Sequence, residues 1–442
     1  MSDDNLYLGI KKNTFQEVFK NSKHQQIIIS DSLRYKNLYE SSNSIGISNL
    51  VGNFLGHFIY YFLEWVLYTA KKNGITKLYF TSRDTKLMYE CIKIIIEKRN
   101  LNIEIEYFYV SRQAITLASV INYTKSDFLW LERYFDLDPL VKILKRLDLK
   151  FSDIEPFINQ KKLNWNPQSI LSDLDAINLF WEFMFKPEIE IQITKNIEFR
   201  RVKTIAYFNS IGLLDSNNFA MIDLGWFKSI QLNINKIIQT TSSKTILKGI
   251  YLGVFKDRFE DAITGDSFSL FYQENEREPN EYVFKNITLL EYIIGICNNG
   301  SVIGYEYNVN NEINVICEEI YKSSFEFYSI VEIELIKFFN TKVLDINTAY
   351  ISDYDTQVIL NGLLTVFVEY PSQDLLHEIK NIKTTSFLSN EESNNLLTPI
   401  SLLTFLFNKK KKYNNIVYWP KANIMISNKI VQLIYYLYNK IN

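Results

Sequence analysis

Cysteine, histidine, proline and glycine are all scarce in this chain of 442 residues, at Cys 3, His 3, Pro 8 and Gly 14. The cysteines, Cys91, Cys297 and Cys317, are odd in number and far apart, and with His24, His57 and His377 they offer no zinc-ligand spacing. No structural metal site and no disulfide framework is therefore expected. The low proline and glycine, beside 47% hydrophobic and 15% aromatic residues, exclude a disordered or fibrous chain and fit a compact, helix-rich structure. Net charge is lacking too. Lys+Arg 48 against Asp+Glu 50 leaves a formal charge of -2, so no whole-molecule field gathers nucleic acid, and no nucleic-acid partner is expected. No uninterrupted apolar run reaches the roughly 20 residues of a transmembrane segment. The longest, Leu55 to Ala70, contains His57 and Glu64 and reads as a buried helix. The acidic start Met1-Ser-Asp-Asp-Asn5 has no apolar leader, which points to the cytoplasm. The run Lys409-Lys410-Lys411-Lys412 reads either as a solvated turn or as a contact for a polyanionic acceptor or for acidic lipid, the last of which would give a peripheral place at the inner membrane face.

Along the chain, residues 1–45 form a polar lead-in with one amphipathic helix around Asn13–Lys20. A helical pattern from Ser48 to Asn73 stops at Gly74, and the strand-like Lys77-Leu-Tyr-Phe-Thr81 follows. Helical spacing over Lys86–Glu97 and an apolar alternating run over Ile103–Val110 complete a βαβ unit. Residues 126–215 read as a helical insertion broken by Pro139, Pro156, Pro167 and Pro187. A second unit has the same grammar: strand Asn218–Ile222, turn Asp223-Leu-Gly225, helix Lys228–Gln239, strand Lys248–Phe255. Strand-like Ser267–Tyr272, a helix near Ile287–Ile296 and a hairpin across Ser301–Tyr307 and Ile313–Cys317 come next, and the remainder is mainly helical. The expected fold is α/β, a mostly parallel sheet with a helical insertion and a helical C-terminal region. Its domains are 1–45 as lead-in, 46–310 as catalytic core and 311–442 as the helical region.

Three stretches carry chemistry, each where a buried strand meets a turn that opens a helix, the place where open parallel sheets bind ligands. In Thr81-Ser82-Arg83-Asp84-Thr85, hydroxyls, a guanidinium fork and the unpaired N–H groups of a helix start make a phosphate cradle. The same residues also read as an Arg–Asp pair beside a helix cap. In Tyr109-Val110-Ser111-Arg112 a parallel strand ends in a second hydroxyl and guanidinium, and two such forks on one edge call for an anion between them. Alternatively, Arg112 covers apolar surface with its stem. In Ile222-Asp223-Leu224-Gly225-Trp226-Phe227-Lys228-Ser229, Gly225 permits close approach, and Lys228 and Ser229 stand in the first helical turn. Asp223 suits hydrogen bonding to a ribose diol, holding Mg²⁺, taking a proton, or capping the helix. The Asp-x-Asp sequences Asp353-Tyr-Asp355, Asp136-Leu-Asp138 and Asp173-Leu-Asp175 follow no buried strand and are set aside. Walker A, Gly-x-Gly-x-x-Gly and Gly-x-Ser-x-Gly motifs do not occur.

Taken in order, Leu78-Tyr-Phe-Thr-Ser-Arg-Asp84, Tyr107-Phe-Tyr-Val-Ser-Arg112 and Ala220-Met-Ile-Asp-Leu-Gly-Trp226 with Ser229 resemble the glycan phosphoribosyltransferase module of bacterial dual-domain ribofuranosyltransferases. With the helix Leu55–Lys71, the resemblance covers about residues 48–255. Two positions depart from the family pattern, Thr85 where a glycine is expected and Lys228 where a small residue is expected, and the phosphatase module that usually accompanies this one is missing. The resemblance implies transfer of 5-phosphoribose from phosphoribosyl pyrophosphate to a glycan acceptor in capsule or O-antigen synthesis, with inversion to a β-ribofuranosyl linkage. A separate phosphatase would then trim the product. It implies Asp84 and Asp223 as catalytic residues and Ser82, Arg83, Ser111, Arg112, Gly225, Lys228 and Ser229 around the donor phosphates. Mg²⁺ would accompany the pyrophosphate, with no protein metal ligands. A nucleotide-sugar-dependent glycosyltransferase and a non-catalytic scaffold of a polysaccharide assembly complex stand as alternatives; for a scaffold, the three motifs would not converge.

Overall fold

The computed structural model describes residues 44–215, 217–256, 265–274, 281–295, 297–320, 322–342, 352–380, 383–384, 394–395, 397–401 and 419–441. The expected helix at Asn13–Lys20 and the lysine run Lys409–Lys412 lie outside the described residues.

The first element, α1 (Ile45–Lys72), is a continuous helix with a π-helical stretch at Val51–Leu55. By length and composition it could cross a membrane, yet 89% of its most apolar window is buried inside the protein. Its first backbone N–H groups are met by a distant carboxylate: Gly46 and Ile47 donate to Glu378 at 2.8 and 3.0 Å. The helix ends at Asn73, and Gly74, at φ +63°, turns the chain into β1 (Lys77–Thr81). Then follow α2 (Lys86–Arg99), closed by left-handed Asn100, and β2 (Glu104–Phe108), parallel to β1.

After the short helix Arg112–Ile115, the chain enters the helical insertion, which runs from the helix Lys125–Phe128 through α3 (Leu174–Met184) to α4 (Pro187–Ser210). The insertion buries its own cluster, including Phe128, Leu131, Phe135, Ile143, Phe180 and Trp181. Pro139 and Pro187 open helices as expected, whereas Pro156 sits inside the helix Phe151–Lys161 and does not end it.

The chain returns as β3 (Phe219–Trp226), α5 (Ser229–Gln239), β4 (Lys248–Phe255) and β5 (Ser267–Gln273). The five-stranded sheet has the order β2-β1-β3-β4-β5 and is parallel throughout. The fold is therefore α/β with helical regions. Strands β3 and β4 are buried almost end to end, as a parallel sheet covered on both faces requires. One face, with Leu78, Phe80, Ala220, Ile222 and Leu224, packs under α1 and α2; the other, with Tyr79, Phe219, Met221 and Tyr251, meets α5 and the end of α4 at Tyr207 and Phe208.

Next come α6 (Ile287–Ile294), the antiparallel hairpin β6 (Val302–Tyr307) and β7 (Ile313–Cys317), α7 (Lys322–Lys342), α8 (Asp353–Glu369), α9 (Gln373–Ile379), α10 (Pro420–Met425) and α11 (Lys429–Ile441). The expected boundary after residue 310 falls in the turn of this hairpin. Phe338, Phe339, Leu360, Phe367 and Trp419 from beyond it join the same buried cluster as β1 and β3, so the C-terminal helices are a further layer on the α/β core.

Candidate functional site

Because β1 leads outward to β2 and the chain then returns to the other side of β1, the strand order reverses between β1 and β3. Open parallel sheets form their ligand crevice at this point, outside the carboxyl ends of the strands. Register places those ends level: Thr81 pairs with Phe108, and Phe80 with Ile222. A hydrogen bond spans the reversal. The Thr81 hydroxyl lies 3.1 Å from both the Asp223 carboxylate and the Ile222 carbonyl.

Past Thr81, Arg83 adopts a left-handed φ of +70°, and its N–H donates to the Tyr107 hydroxyl at 2.9 Å. Its guanidinium lies 3.5 Å from Asp84 Oδ1 and donates to the Ser301 hydroxyl at 2.9 Å. The Ser82 hydroxyl donates to the Val110 carbonyl at 2.6 Å, tying the loop after β1 to the loop after β2. In that second loop, the Ser111 hydroxyl accepts from the Ala114 N–H at 3.1 Å and donates to the Val302 carbonyl, so it caps the Arg112 helix and anchors hairpin β6–β7. Both serines thus spend their hydroxyls on bracing the two arginine loops.

The expected turn at Asp223–Gly225 lies within β3, which pairs with β4 as far as Trp226. Gly225 has a φ of +113°, and an added Cβ would stand 2.2 Å from the Gly253 carbonyl, so this glycine permits close strand approach inside the sheet. The turn comes later, at left-handed Trp226 and Lys228. Lys228 takes the N-cap position of α5, Ser229 begins the helix, and Asp223 caps nothing. Asp223 is instead a buried carboxyl, 6% exposed.

One participant was not expected. Glu291 of α6 reaches the same edge, where its Oε1 accepts from the Trp226 indole at 2.9 Å. One turn later Gly295 lies so close that an added Cβ would be 3.0 Å from Asp84 Oδ1. Three carboxylates, Asp84, Asp223 and Glu291, therefore share a region with Arg83 and Arg112. Burial first, and then the Asp84 charge, push the Asp223 carboxyl up to about 8 against its bonds from Thr81 and the Leu224 N–H. Burial and Asp84 likewise push Glu291 up to about 7, while the Trp226 indole, Arg83 and Arg112 favour its charged form. Burial opposes the charge on Arg83, yet Asp84, Cys297 and Glu291 outweigh it and raise its pKa. The Cys297 thiol, donating to the Asn299 carbonyl at 2.8 Å, is pushed by burial up to about 11, so it is no ready nucleophile.

Arg83, Asp84, Arg112 and Asp223 stand at one end of the sheet, where the charges of Asp84, Arg83 and Arg112 act on Glu291 and those of Asp84 and Glu291 act on Asp223. No family model and no curated protein matches this chain. Among the described residues, no group of three or more His, Cys, Asp or Glu side chains is placed to hold a metal ion. A cleft of about 620 Å³ opens at the opposite edge of the sheet, lined by Tyr60, Glu64, Trp65, Tyr68, Arg99 and Ile103 among others, and none of the predicted site residues borders it. The signal for Glu291 was present in the sequence: it is the lone charge in the helix Ile287-Thr-Leu-Leu-Glu-Tyr-Ile-Ile294. The other sequences set aside earlier are structural. Asp173 caps α3, buried Asp138 pairs with Arg146 at 2.7 Å, and Asp353 accepts from the Trp65 indole at 2.9 Å.

Proposed function

We propose that this protein transfers 5-phosphoribose from phosphoribosyl pyrophosphate to a glycan acceptor in bacterial surface polysaccharide synthesis, with inversion at the anomeric carbon. The observation that carries this reading is the meeting of Arg83 and Arg112 with Asp84 and Asp223 at the strand-order reversal. An anionic sugar donor needs guanidinium forks for its phosphates and a carboxylate near the reacting carbon, and this edge supplies both.

In the reaction, the acceptor hydroxyl oxygen bonds to the anomeric carbon from the side opposite the pyrophosphate. The bond from that carbon to pyrophosphate breaks, and the acceptor's proton passes to a carboxylate. Arg83 and Arg112 stabilise the charge that grows on the departing pyrophosphate. Asp84, with a side chain 24% exposed, faces an incoming acceptor, while buried Asp223 contacts the ribose. Mg²⁺ would arrive on the pyrophosphate oxygens. The phosphoribosyl product leaves a phosphate for a separate phosphatase to remove.

Calorimetry of phosphoribosyl pyrophosphate, with and without Mg²⁺, against UDP- and GDP-sugars tests the reading. Selective binding of the phosphoribosyl donor, weakened about 100-fold by Arg83→Ala through loss of charge-assisted hydrogen bonds, would support it. A half-buried aromatic, Tyr109, directly precedes the Val110–Arg112 loop and favours a nucleotide-sugar donor as the second reading. Binding of UDP- or GDP-sugars in place of the phosphoribosyl donor would establish that one, and binding of none would sink both.

A further inference from the structure

Resting on the anionic-donor reading, we propose that Ser301 binds the donor's pyrophosphate as one unit with Arg83: its hydroxyl accepts from the guanidinium and gives its own hydrogen to a phosphate oxygen. None of the three sequence motifs contains this serine. It stands immediately before β6, more than 200 positions beyond Arg83, and reaches the site because hairpin β6–β7 is docked there.

The docking is specific. At Gly300 an added Cβ would lie 1.9 Å from the Glu318 carbonyl, so the glycine lets the two arms of the hairpin close at this point. Beside it, the Ser301 carbonyl accepts from the Glu318 N–H at 2.9 Å. The carbonyl of buried Val302 accepts from the Ser111 hydroxyl. Further along β6, the Tyr305 hydroxyl donates to the Tyr109 carbonyl at 2.8 Å, and its ring stacks on that of Tyr207 at 4.6 Å. The Tyr207 hydroxyl in turn accepts from the Tyr109 N–H at 2.8 Å. These bonds fix the hairpin to the loop that carries Arg112. From that fixed base the Ser301 hydroxyl meets Nη1 of Arg83, on the loop after β1, at 2.9 Å.

What the serine does for Arg83 follows from the chemistry of a hydroxyl. The Arg83 backbone is held at its left-handed φ of +70° by the Tyr107 hydroxyl, while the tip of the side chain is aimed by Ser301. Asp84 approaches Nε only to 3.5 Å, the far limit of a hydrogen bond. A carboxylate on Nη1 would orient it and cancel its charge together; a neutral hydroxyl orients it and leaves the charge for an incoming phosphate. A serine hydroxyl also has one hydrogen to give besides its acceptor positions. Arg83 takes an acceptor position, and no acceptor for the hydrogen stands among the described residues. A hydroxyl that accepts from a charged group is polarised into a stronger hydrogen-bond donor. Being uncharged, it is equally at ease beside the Mg²⁺ that would accompany the pyrophosphate.

Inorganic pyrophosphate and phosphoribosyl pyrophosphate, each with excess Mg²⁺, are titrated by calorimetry into the full chain and into Ser301→Ala, Ser301→Thr, Arg83→Ala and the double variant. Ser301→Ala keeps the backbone bond to Glu318 that seats the hairpin, so the fold is retained. The expected result is binding about tenfold weaker in Ser301→Ala, the size of one hydrogen bond to a charged group, and native-like binding in Ser301→Thr. In the Arg83→Ala background the same serine change should cost about twofold or less, because the hydroxyl has lost the group that orients and polarises it. Unchanged binding in Ser301→Ala would overturn the proposal. So would failure of threonine to restore binding, or an about tenfold loss in both backgrounds, since the serine would then not act as a unit with Arg83. Failure of the native protein to bind either anion would overturn the donor reading as well, which keeps the two failures distinguishable.

Discussion

The two edges of the sheet both bring arginine to carboxylate, but they do so in different ways. At the amino edge, Arg99 meets Glu64 in a two-point pair, with Nη1 donating to Oε2 at 3.0 Å and Nη2 lying 2.7 Å from Oε1. The Tyr60 hydroxyl accepts a further bond from the same guanidinium at 3.0 Å. One charge answers one charge, so the arrangement can serve simply to tie α2 to α1. At the carboxyl edge, Arg83, Arg112 and Lys228 stand with three carboxylates, two of which burial pushes up to about 8 and about 7. Such a cluster costs the folded protein stability, and costly polar clusters at the carboxyl edge of a parallel sheet are where function is sought. The 620 Å³ cleft lies at the amino edge. The burial of the carboxyls distinguishes the two.

The largest effect expected comes from the carboxyl edge itself. Gly225→Ala would place a Cβ 2.2 Å from the Gly253 carbonyl at a φ of +113°, forcing β3 from β4, and should cost about 3–5 kcal/mol in urea unfolding. A loss under about 1 kcal/mol would mean the strands are not held this closely. The second effect is pH-dependent. Asp223 rises from an ordinary value of 3.8 to about 8 on folding, so between those values the native state keeps a proton that the unfolded chain has released. Stability is therefore greatest below about pH 4 with respect to this group and declines as pH climbs to about 8. Asp223→Asn, which keeps an acceptor for Thr81, removes that decline and should be about 2–4 kcal/mol more stable than the native protein at about pH 8. Parallel stability curves for the two proteins would mean that the carboxyl edge stores no such strain.

Much of this is legible in the sequence. Gly74 after a helical run, and Lys77–Thr81 after that, placed α1 and β1 because a stop residue and a change of period are local signals. Hairpin β6–β7 was legible for the same reason. Arg83 and Arg112 stood out because each follows a buried strand, and Asp223 because it is a charge within an apolar one, and parallel strands bring their ends together. What local signals could not carry was the pairing of β3 with β4. Gly225 looks like a turn glycine in isolation, and only the Gly253 carbonyl opposite makes it a strand glycine. Glu291 was missed because its value depends on Trp226 and two arginines, Arg83 and Arg112, that are 65, 208 and 179 positions away in the chain. The packing of the C-terminal helices is equally long-range, since Phe338 and Trp419 fill a core begun at residue 47.

The smaller predictions sharpen the contrast from the balanced edge. Glu64→Gln should destabilise the protein by about 1–2 kcal/mol, because it leaves a partly buried guanidinium short of its counter-charge. Glu291→Gln at about pH 8 should do the reverse and stabilise it by about 1–2 kcal/mol. The same chemical change thus takes opposite signs at the two edges, and equal signs would dissolve the distinction drawn between them. The least effect belongs to Gly74→Ala. Its φ of +63° is unfavourable for alanine, but nothing lies within 4 Å of the added Cβ, so only the backbone term remains, about 1 kcal/mol. Set beside Gly225→Ala, this pair separates the two reasons a glycine is required. If Gly74→Ala cost as much as Gly225→Ala, conformation alone would account for both, and the close approach of β3 to β4 would lose its claim to shape the carboxyl edge.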